Sequence, residues 1–472
     1  LEGAADRIMK KIPGPNIRKS NEIYARAEQI IPAGSQTFSK GVTQFVEGFA
    51  PKYIQSGKGA YTYDVDGNRY LDYIMACHPI ILGYADPDVN QAVIQQLELG
   101  STFSLMNELE VDVTELLIQT VPCAEMARFG KNGADATSAG VRIGRAVTGR
   151  DHIAYCGYHG WHDWYIANTD LNDGIPRFNQ ELAHSFEYNN LDSLDRIFQE
   201  HPEQVAVVIM EPATISKPRC MKKDSGCGES QCHSQCQQTF LHEVKRMTHH
   251  YGALLMFDEV ITGFRFSVGG VQELVGVTPD LTAIAKGISN GVPLSAIVGK
   301  KEYMSVLNKT FFSFTYGGDC LGLAAANACI PKICRENVPS HLDIVGERLK
   351  SGLNLIFEEN QISDYLQCVG YPCRSIVAFD GQGQFDNLEM KSFVQQELIR
   401  RGILWAGYHA ISWAHKEEEI DTTLSAFSEV AELLSSLIRQ NVNLRSFIEG
   451  KPVRPVFRKV SDFNSFINKT ET

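Results

Sequence analysis

The sequence has no uninterrupted apolar run of roughly eighteen residues, the length a helix needs to cross a bilayer. It also has no block of clustered Lys or Arg, and its formal net charge is −12. That balance argues against a nucleic-acid or anionic-lipid surface and leaves small molecules as the expected partners. The opening stretch, LEGAADRIMKKIPGPNIRKS, lacks the apolar segment of a secretory signal, so a cytoplasmic protein is expected. Internal repeats and low-complexity segments are absent, which excludes solenoids and linker-like chains. A secreted disulfide framework is not indicated either. Cys77, Cys123, Cys156, Cys320, Cys329, Cys334, Cys368 and Cys373 are scattered through apparent strands and helices, as reduced thiols are.

What the chain does have is enough apolar sequence for a large core: 472 residues, 43% hydrophobic and 21% charged. That length exceeds one ordinary domain. NEIYARAEQII has helical spacing, and YTYDVDGNRYLDYI reads as two strands around an Asp-Gly turn. From about Asp88, helical stretches alternate with buried runs: IAYC, VAVVIM, ALLMFDEV, LTAIA and LSAIVGK. This pattern predicts a mainly parallel sheet flanked by helices. The expected organisation is an N-terminal helix-and-hairpin segment over 1–86, belonging to a smaller domain, and a large α/β domain over 87–328. A smaller α+β domain over 329–450 and a polar, aromatic tail over 451–472 follow.

Four segments of the predicted large domain each put a distinctive group at a strand end or loop, where ligands collect in such sheets. In FGKNGADATSAG, a turn opens a helix near Asp135, and the N–H groups of Gly133 and Ala134 at its positive end suit a phosphate. An ordinary helix cap explains that segment equally well. In CGYHGWHDWY, Tyr158 is placed to lie on a planar ring, with core packing as the alternative. In ALLMFDEVITGFR, an apolar strand ends in Asp258 and Glu259, which point to opposite sides if the strand runs that far. A carboxylate there needs a cation or donors, and a protonated pyridine nitrogen is one such partner. In LTAIAKGISNG, Lys286 sits among apolar and small neighbours, where desolvation makes an amine nucleophilic toward an aldehyde.

With these residues in this order, the chain resembles the class III aminotransferases, fold-type I enzymes of pyridoxal 5′-phosphate (PLP), with glutamate-1-semialdehyde aminomutase among the nearer types. The likeness runs from about Glu22 to Ser435 and includes YTYDVDGNRYLDYI, GYHGWHD, IMEPA, FDEVITGFR, AKGISNGVPLSAIVG and FTYGGDCLGLAAA. It implies that Lys286 is the Schiff-base lysine and Asp258 the partner of the pyridine nitrogen. It further implies that Gly133 and Ala134 cradle the phosphate, Tyr158 stacks on the ring, and Glu211 lies by the 3′-oxygen. His159 follows the stacking residue and shapes the pocket. Thr315 resembles a threonine presented to the phosphate of a neighbouring subunit's cofactor, which implies a homodimer with shared sites.

The departures from the aminomutase pattern fall where a substrate would sit. The nearest match to its carboxylate-binding arginine is Lys40, which cannot make the bidentate fork. Cys77 and His78 stand where the family has a tryptophan. After IMEP a short turn is replaced by a long segment holding Cys220, Cys227, Cys232 and Cys236. Their C-x6-C-x4-C-x3-C spacing lacks paired C-x2-C knuckles, so no metal is assigned and a thiol-rich loop is expected, with zinc as the alternative. The expected activity is amino transfer from glutamate to an aldehyde or ketone other than glutamate semialdehyde. The GYHGWHDWY form suggests the terminal aldehyde of an oxidised octulosonate in surface-polysaccharide synthesis. An aminomutase and a catalytically silent cofactor-binding scaffold are the competing readings.

Overall fold

A computed structural model describes residues 12–221 and 236–454. By their contacts these divide into two units, a smaller one within 1–77, 82–85 and 341–472 and a larger one within 78–81 and 86–340. The smaller unit begins with the helix Arg18–Ile30 and three strands, β1 (Ile54–Lys58), β2 (Tyr61–Asp64) and β3 (Arg69–Asp72), in an antiparallel meander. The Asp-Gly turn between β2 and β3 closes because Asp64 Oδ1 accepts from the N–H groups of Asp66 and Asn68, at 3.0 and 2.8 Å.

The larger unit carries β4 (Met126–Gly130), β5 (His152–Cys156), β6 (Ala183–Ser185), β7 (Val205–Met210), β8 (Leu254–Glu259), β9 (Leu281–Ile284) and β10 (Ser295–Gly299). They form one sheet in the order β4-β10-β9-β8-β7-β5-β6. Only β10 runs against the rest, pairing antiparallel with both β4 and β9. Strands β7 to β10 are buried at every residue, which is why they read as unbroken apolar runs rather than alternating ones. The helix Gly133–Thr148 lies directly on this sheet because Gly140 and Gly144 share one face, one turn apart. A Cβ at Gly144 would meet Val207 Cβ at 2.9 Å, and one at Gly140 would collide with Met256.

The chain then returns to the smaller unit with β11 (Leu366–Tyr371), β12 (Arg374–Phe379), β13 (Ile403–Leu404), β14 (Tyr408–Ala410) and two long helices, Asn387–Arg400 and Glu417–Arg439. Strand β13 joins β3 in parallel, and β11, β12 and β14 form a second, antiparallel sheet. The α/β architecture with a mostly parallel large sheet is therefore as the sequence predicts. The boundary expected at 328 and 329, however, falls inside the single helix Cys320–Arg335, and the division by contacts comes after Ser340. That helix is buried along its length by Leu323, Ala325, Cys329 and Ile333, so it cannot be shared between two cores.

One buried anchor is the last residue of β8. Glu259 is 1% exposed, and its carboxylate accepts from the N–H groups of Val271 (2.7 Å) and Gln272 (3.2 Å) and from Thr262 Oγ1 (2.9 Å). Burial pushes its carboxyl above the ordinary range, against the pull of these donors. The close approach requires glycine at Gly270, where φ is +79° and a Cβ would lie 2.6 Å from the Glu259 carboxyl carbon. Gly270→Ala is expected to cost about 2 kcal/mol or more, read as a fall in the thermal unfolding midpoint of the purified protein.

Candidate active site

Five strand ends converge on one edge of the large sheet. Strand β4 leads into the helix Gly133–Thr148, β5 into Gly157-Tyr158-His159, and β7 into Glu211. Asp258 sits within the end of β8, and β9 leads through Ala285 to Lys286. In register, Asp258 faces Ala283 and Glu259 faces Ile284, so Lys286 emerges two residues past the neighbour of a strand that ends in carboxylates.

The two carboxylates separate by the period-two alternation of the strand. Glu259 turns to the Val271 and Gln272 amides, whereas Asp258 turns to His159. Asp258 is 4% exposed, and its Oδ2 lies 2.7 Å from His159 Nδ1. Its Oδ1 accepts from the Val260 N–H at 3.0 Å. His159 is buried too, with Nε2 3.2 Å from the Cys156 carbonyl. Both ring nitrogens of His159 are thus engaged by protein groups, and the imidazole acts through Asp258 by fixing its orientation.

Tyr158 is half-buried. Its N–H donates to Glu211 Oε1 at 2.8 Å, and its ring meets that of Tyr165 edge-on at 5.5 Å. Glu211 can reach it only because Gly157 has φ +110°; a Cβ there would lie 2.8 Å from Glu211 Oε1. Gly133 and Ala134 occupy the first turn of their helix, where N–H groups have no intrahelical acceptor. The Asp135 carboxylate accepts from the preceding amides, Lys131 at 2.9 Å and Asn132 at 2.8 Å, and stabilises the start of the helix. Packing around the turn is close: a Cβ on Gly133 would be 2.7 Å from Val260, and one on Gly160 2.7 Å from Ala134. Lys286 has φ +45°, a left-handed conformation that a non-glycine residue holds at a cost and that clusters at functional positions.

Thr315 is exposed and lies outside this set of contacts. Lys40 and Cys77 belong to the smaller unit, where together with Lys52, Asp72, Ile74 and Tyr84 they line a cavity of about 320 Å³. Of the cysteine-rich segment, Cys220 and Cys236 have their sulfurs 3.6 Å apart, while Cys227 and Cys232 lie outside the described residues. The sequence reading passed over Arg265, which is 1% exposed and donates to the His78 carbonyl at 3.0 Å. Its only sequence signal is its place in FDEVITGFR, six residues after Glu259.

A helix start, an aromatic residue, a buried carboxylate and a lysine gathered at the strand ends of one sheet are the groups that a phosphorylated, ring-containing cofactor would require. The chain matches the class III aminotransferase family over residues 46–373 and belongs to it. It is 33% identical over 419 residues to the 3-aminobutyryl-CoA aminotransferase of Cloacimonas acidaminovorans (strain Evry), covering 88% of this chain and 96% of that relative. Among solved structures it resembles the FumI protein of Sphingopyxis sp. MTA144 in a PLP form, with a TM-score of 0.80 and 25% identity. That match covers 92% of this chain and 99% of the other. A glutamate-1-semialdehyde aminomutase of Pseudomonas aeruginosa PAO1 shares the fold, with a TM-score of 0.75 and 19% identity, covering 91% of this chain and 97% of that one. The protein is a PLP-dependent aminotransferase.

The residues present fit that cofactor. The first-turn amides of Gly133 and Ala134 have no intrahelical acceptor and would suit a phosphate, and Asp258 is oriented from both oxygens by protein groups. Asp258→Asn keeps the shape and removes the charge. It is expected to lower kcat/KM by about 100-fold or more in steady-state assays and to alter the absorption of the bound cofactor.

Proposed function

We propose that this aminotransferase acts on an amino group carried one carbon beyond the α-position of an acyl substrate, the 3-amino group of an acyl thioester or a related β-amino acid. Glutamate and 2-oxoglutarate serve as the other amino donor and acceptor pair. The observation that carries the substrate class is the 33% identity to a 3-aminobutyryl-CoA aminotransferase across 88% of the chain. Lys40, where the aminomutase pattern has an arginine, supports a substrate other than glutamate semialdehyde.

In this reading Lys286 is the covalent attachment point of the cofactor. When bound, the cofactor supplies an electron-withdrawing ring that stabilises negative charge on the amino-bearing carbon. Lys286 Nζ, once released, takes the proton from the donor's amino-bearing carbon and returns one to the acceptor's carbonyl carbon. Asp258 would pair with the cofactor's ring nitrogen, His159 keeps that carboxylate aligned, and Tyr158 would hold the ring by stacking. The amides of Gly133 and Ala134 bind the phosphate. Glu211 positions Tyr158 through its backbone N–H.

We also infer a homodimer in which Thr315 reaches the phosphate site of the neighbouring subunit. Large apolar side chains lie exposed in two segments: Leu105 (81%) and Met106 (84%) in one, Phe311 (76%) and Tyr316 (60%) in the other. Four residues before Leu105 and four after Tyr316 the chain is joined, the Cys320 N–H donating to the Ser101 carbonyl at 2.8 Å. An apolar surface of this kind calls for a covering partner. Light scattering is expected to give twice the chain mass, and Thr315→Ala to weaken cofactor retention on dialysis.

The decisive assay presents four substrates to the purified enzyme: 3-aminobutyryl-CoA, a β-amino acid, glutamate-1-semialdehyde, and an oxidised octulosonate with glutamate. The 3-amino substrates are expected to show kcat/KM at least about tenfold above the sugar aldehyde. A preference for the sugar would overturn the substrate assignment, and isomerisation of glutamate semialdehyde without an added donor would overturn the transaminase reading. Lys286→Ala should reduce turnover by about 10⁴-fold or more while phosphate-anchored cofactor remains detectable.

A further inference from the structure

Three histidines that play no part in the site above come together at the opposite end of the large sheet. His152 is the first residue of β5, His184 the middle of β6, and His201 follows the helix Leu191–Glu200. One ligand nitrogen from each lies within 4.8 Å of the other two, and this is the one such cluster among the described residues. His152 Nδ1 and His184 Nε2 are 2.8 Å apart. The His201 ring stacks on both, with centroids 4.1 Å from His184 and 4.5 Å from His152. All three are half-buried, so the cluster is open to solvent on one side.

The backbone makes this convergence durable. Strands β5 and β6 are parallel, with Ala154 opposite His184, so His152 and His184 project from the same face on neighbouring strands. The helix bearing His201 is tied down by Leu194, Ile197 and Phe198, all buried in the core. The ring planes lie within 28° of one another, so the His201 ring has to turn on its side-chain torsions for its nitrogen to join the other two; imidazole nitrogens are the donors that zinc and its first-row neighbours prefer.

We propose that His152, His184 and His201 bind one divalent transition-metal ion of the imidazole-preferring kind, zinc foremost, with water in the remaining position. The ion would replace the hydrogen bond between His152 and His184. Two nitrogens at about 2.0–2.1 Å from a tetrahedral ion stand roughly 3.3 Å apart, so this pair opens by about half an ångström. The site is separate from the catalytic edge. The strand His152–Cys156, about 13 Å of extended chain, parts His152 from the turn that carries Tyr158. Strand β6 is a three-residue edge strand, and the ion would fasten it and the helix before β7 to the sheet. Its role is to hold the margin of the large unit.

The test uses untagged holoenzyme, freed of metal by a chelator and dialysed, then titrated calorimetrically with ZnCl2 and optically with CoCl2. One equivalent is expected to bind and to raise the unfolding temperature, since the ligands are gathered only in the folded chain. The cobalt spectrum should show visible ligand-field bands without near-ultraviolet thiolate charge transfer. His184→Ala is expected to weaken binding by more than tenfold, beyond the roughly tenfold lower bound for losing an outer-shell partner. His201→Gln, at the cluster's open side, gives the same reading if the first variant folds poorly, with bound-cofactor absorption reporting folding. Cys220→Ser/Cys236→Ser should bind as the parent does. Absence of a stoichiometric site in the parent, binding unchanged in both histidine variants, or loss of binding in the cysteine variant would each overturn the proposal.

Discussion

A carboxylate at the buried end of a strand costs several kcal/mol unless donors or a cation meet it, and the larger unit is arranged around satisfying one. Asp258 receives the Val260 amide on one oxygen and the His159 imidazole on the other. For His159 to arrive there, the chain leaving β5 must turn through Gly157 and Gly160, both with positive φ. The same turn delivers the Tyr158 N–H to Glu211 at the end of β7. Three adjacent strand ends are thereby locked to one another by hydrogen bonds within the protein. Asp258 and the Tyr158 backbone are thus held in place by the protein alone, and preorganisation of this kind does not have to be supplied again in each turnover.

The neighbouring carboxylate shows how closely scaffold and chemistry are joined. Asp258 and Glu259 are consecutive, yet strand alternation sends one to the site and the other into the protein, where it binds the amides of Val271 and Gln272. Glu259 stabilises the segment that follows β8 and so fixes where that strand ends. A one-residue slip in the register of β8 against β9 would exchange the faces of the two side chains and turn Asp258 away from His159.

Much of this was legible in the sequence because burial on both faces writes strands as apolar runs. VAVVIM, ALLMFDEV and LTAIA each mark a strand whose following residues carry the site. The helix start at Gly133 and the hairpin before Asp72 were legible from turn chemistry. Other features leave no local mark. Strand β4, Met126–Gly130, is only partly buried and has no clean period, and β6 has three residues. An apolar run carries no direction, so the antiparallel course of β10 could not be read from it. Arg265 and the three histidines are brought to their partners by crossovers, and their separation in sequence hides the contact.

The parts that departed from the aminomutase pattern prove to be held by a constraint of their own. In the smaller unit, Met75, Ala76 and Cys77 are consecutive non-glycine residues with φ of 44°, 53° and 70°. Each such residue costs roughly 1–2 kcal/mol, so an interaction must hold the turn. Asp72 provides it: one oxygen accepts from the amides of Ile74 and Met75 at 2.7 and 3.1 Å, the other from Tyr84 Oη at 2.7 Å. The strained turn and its anchor line the same cavity as Lys40 and Lys52. A tryptophan in place of Cys77 would fill much of a space that this chain keeps open and flanks with two cations. The strand ends of the larger unit and the shape of this cavity are therefore set by different residues.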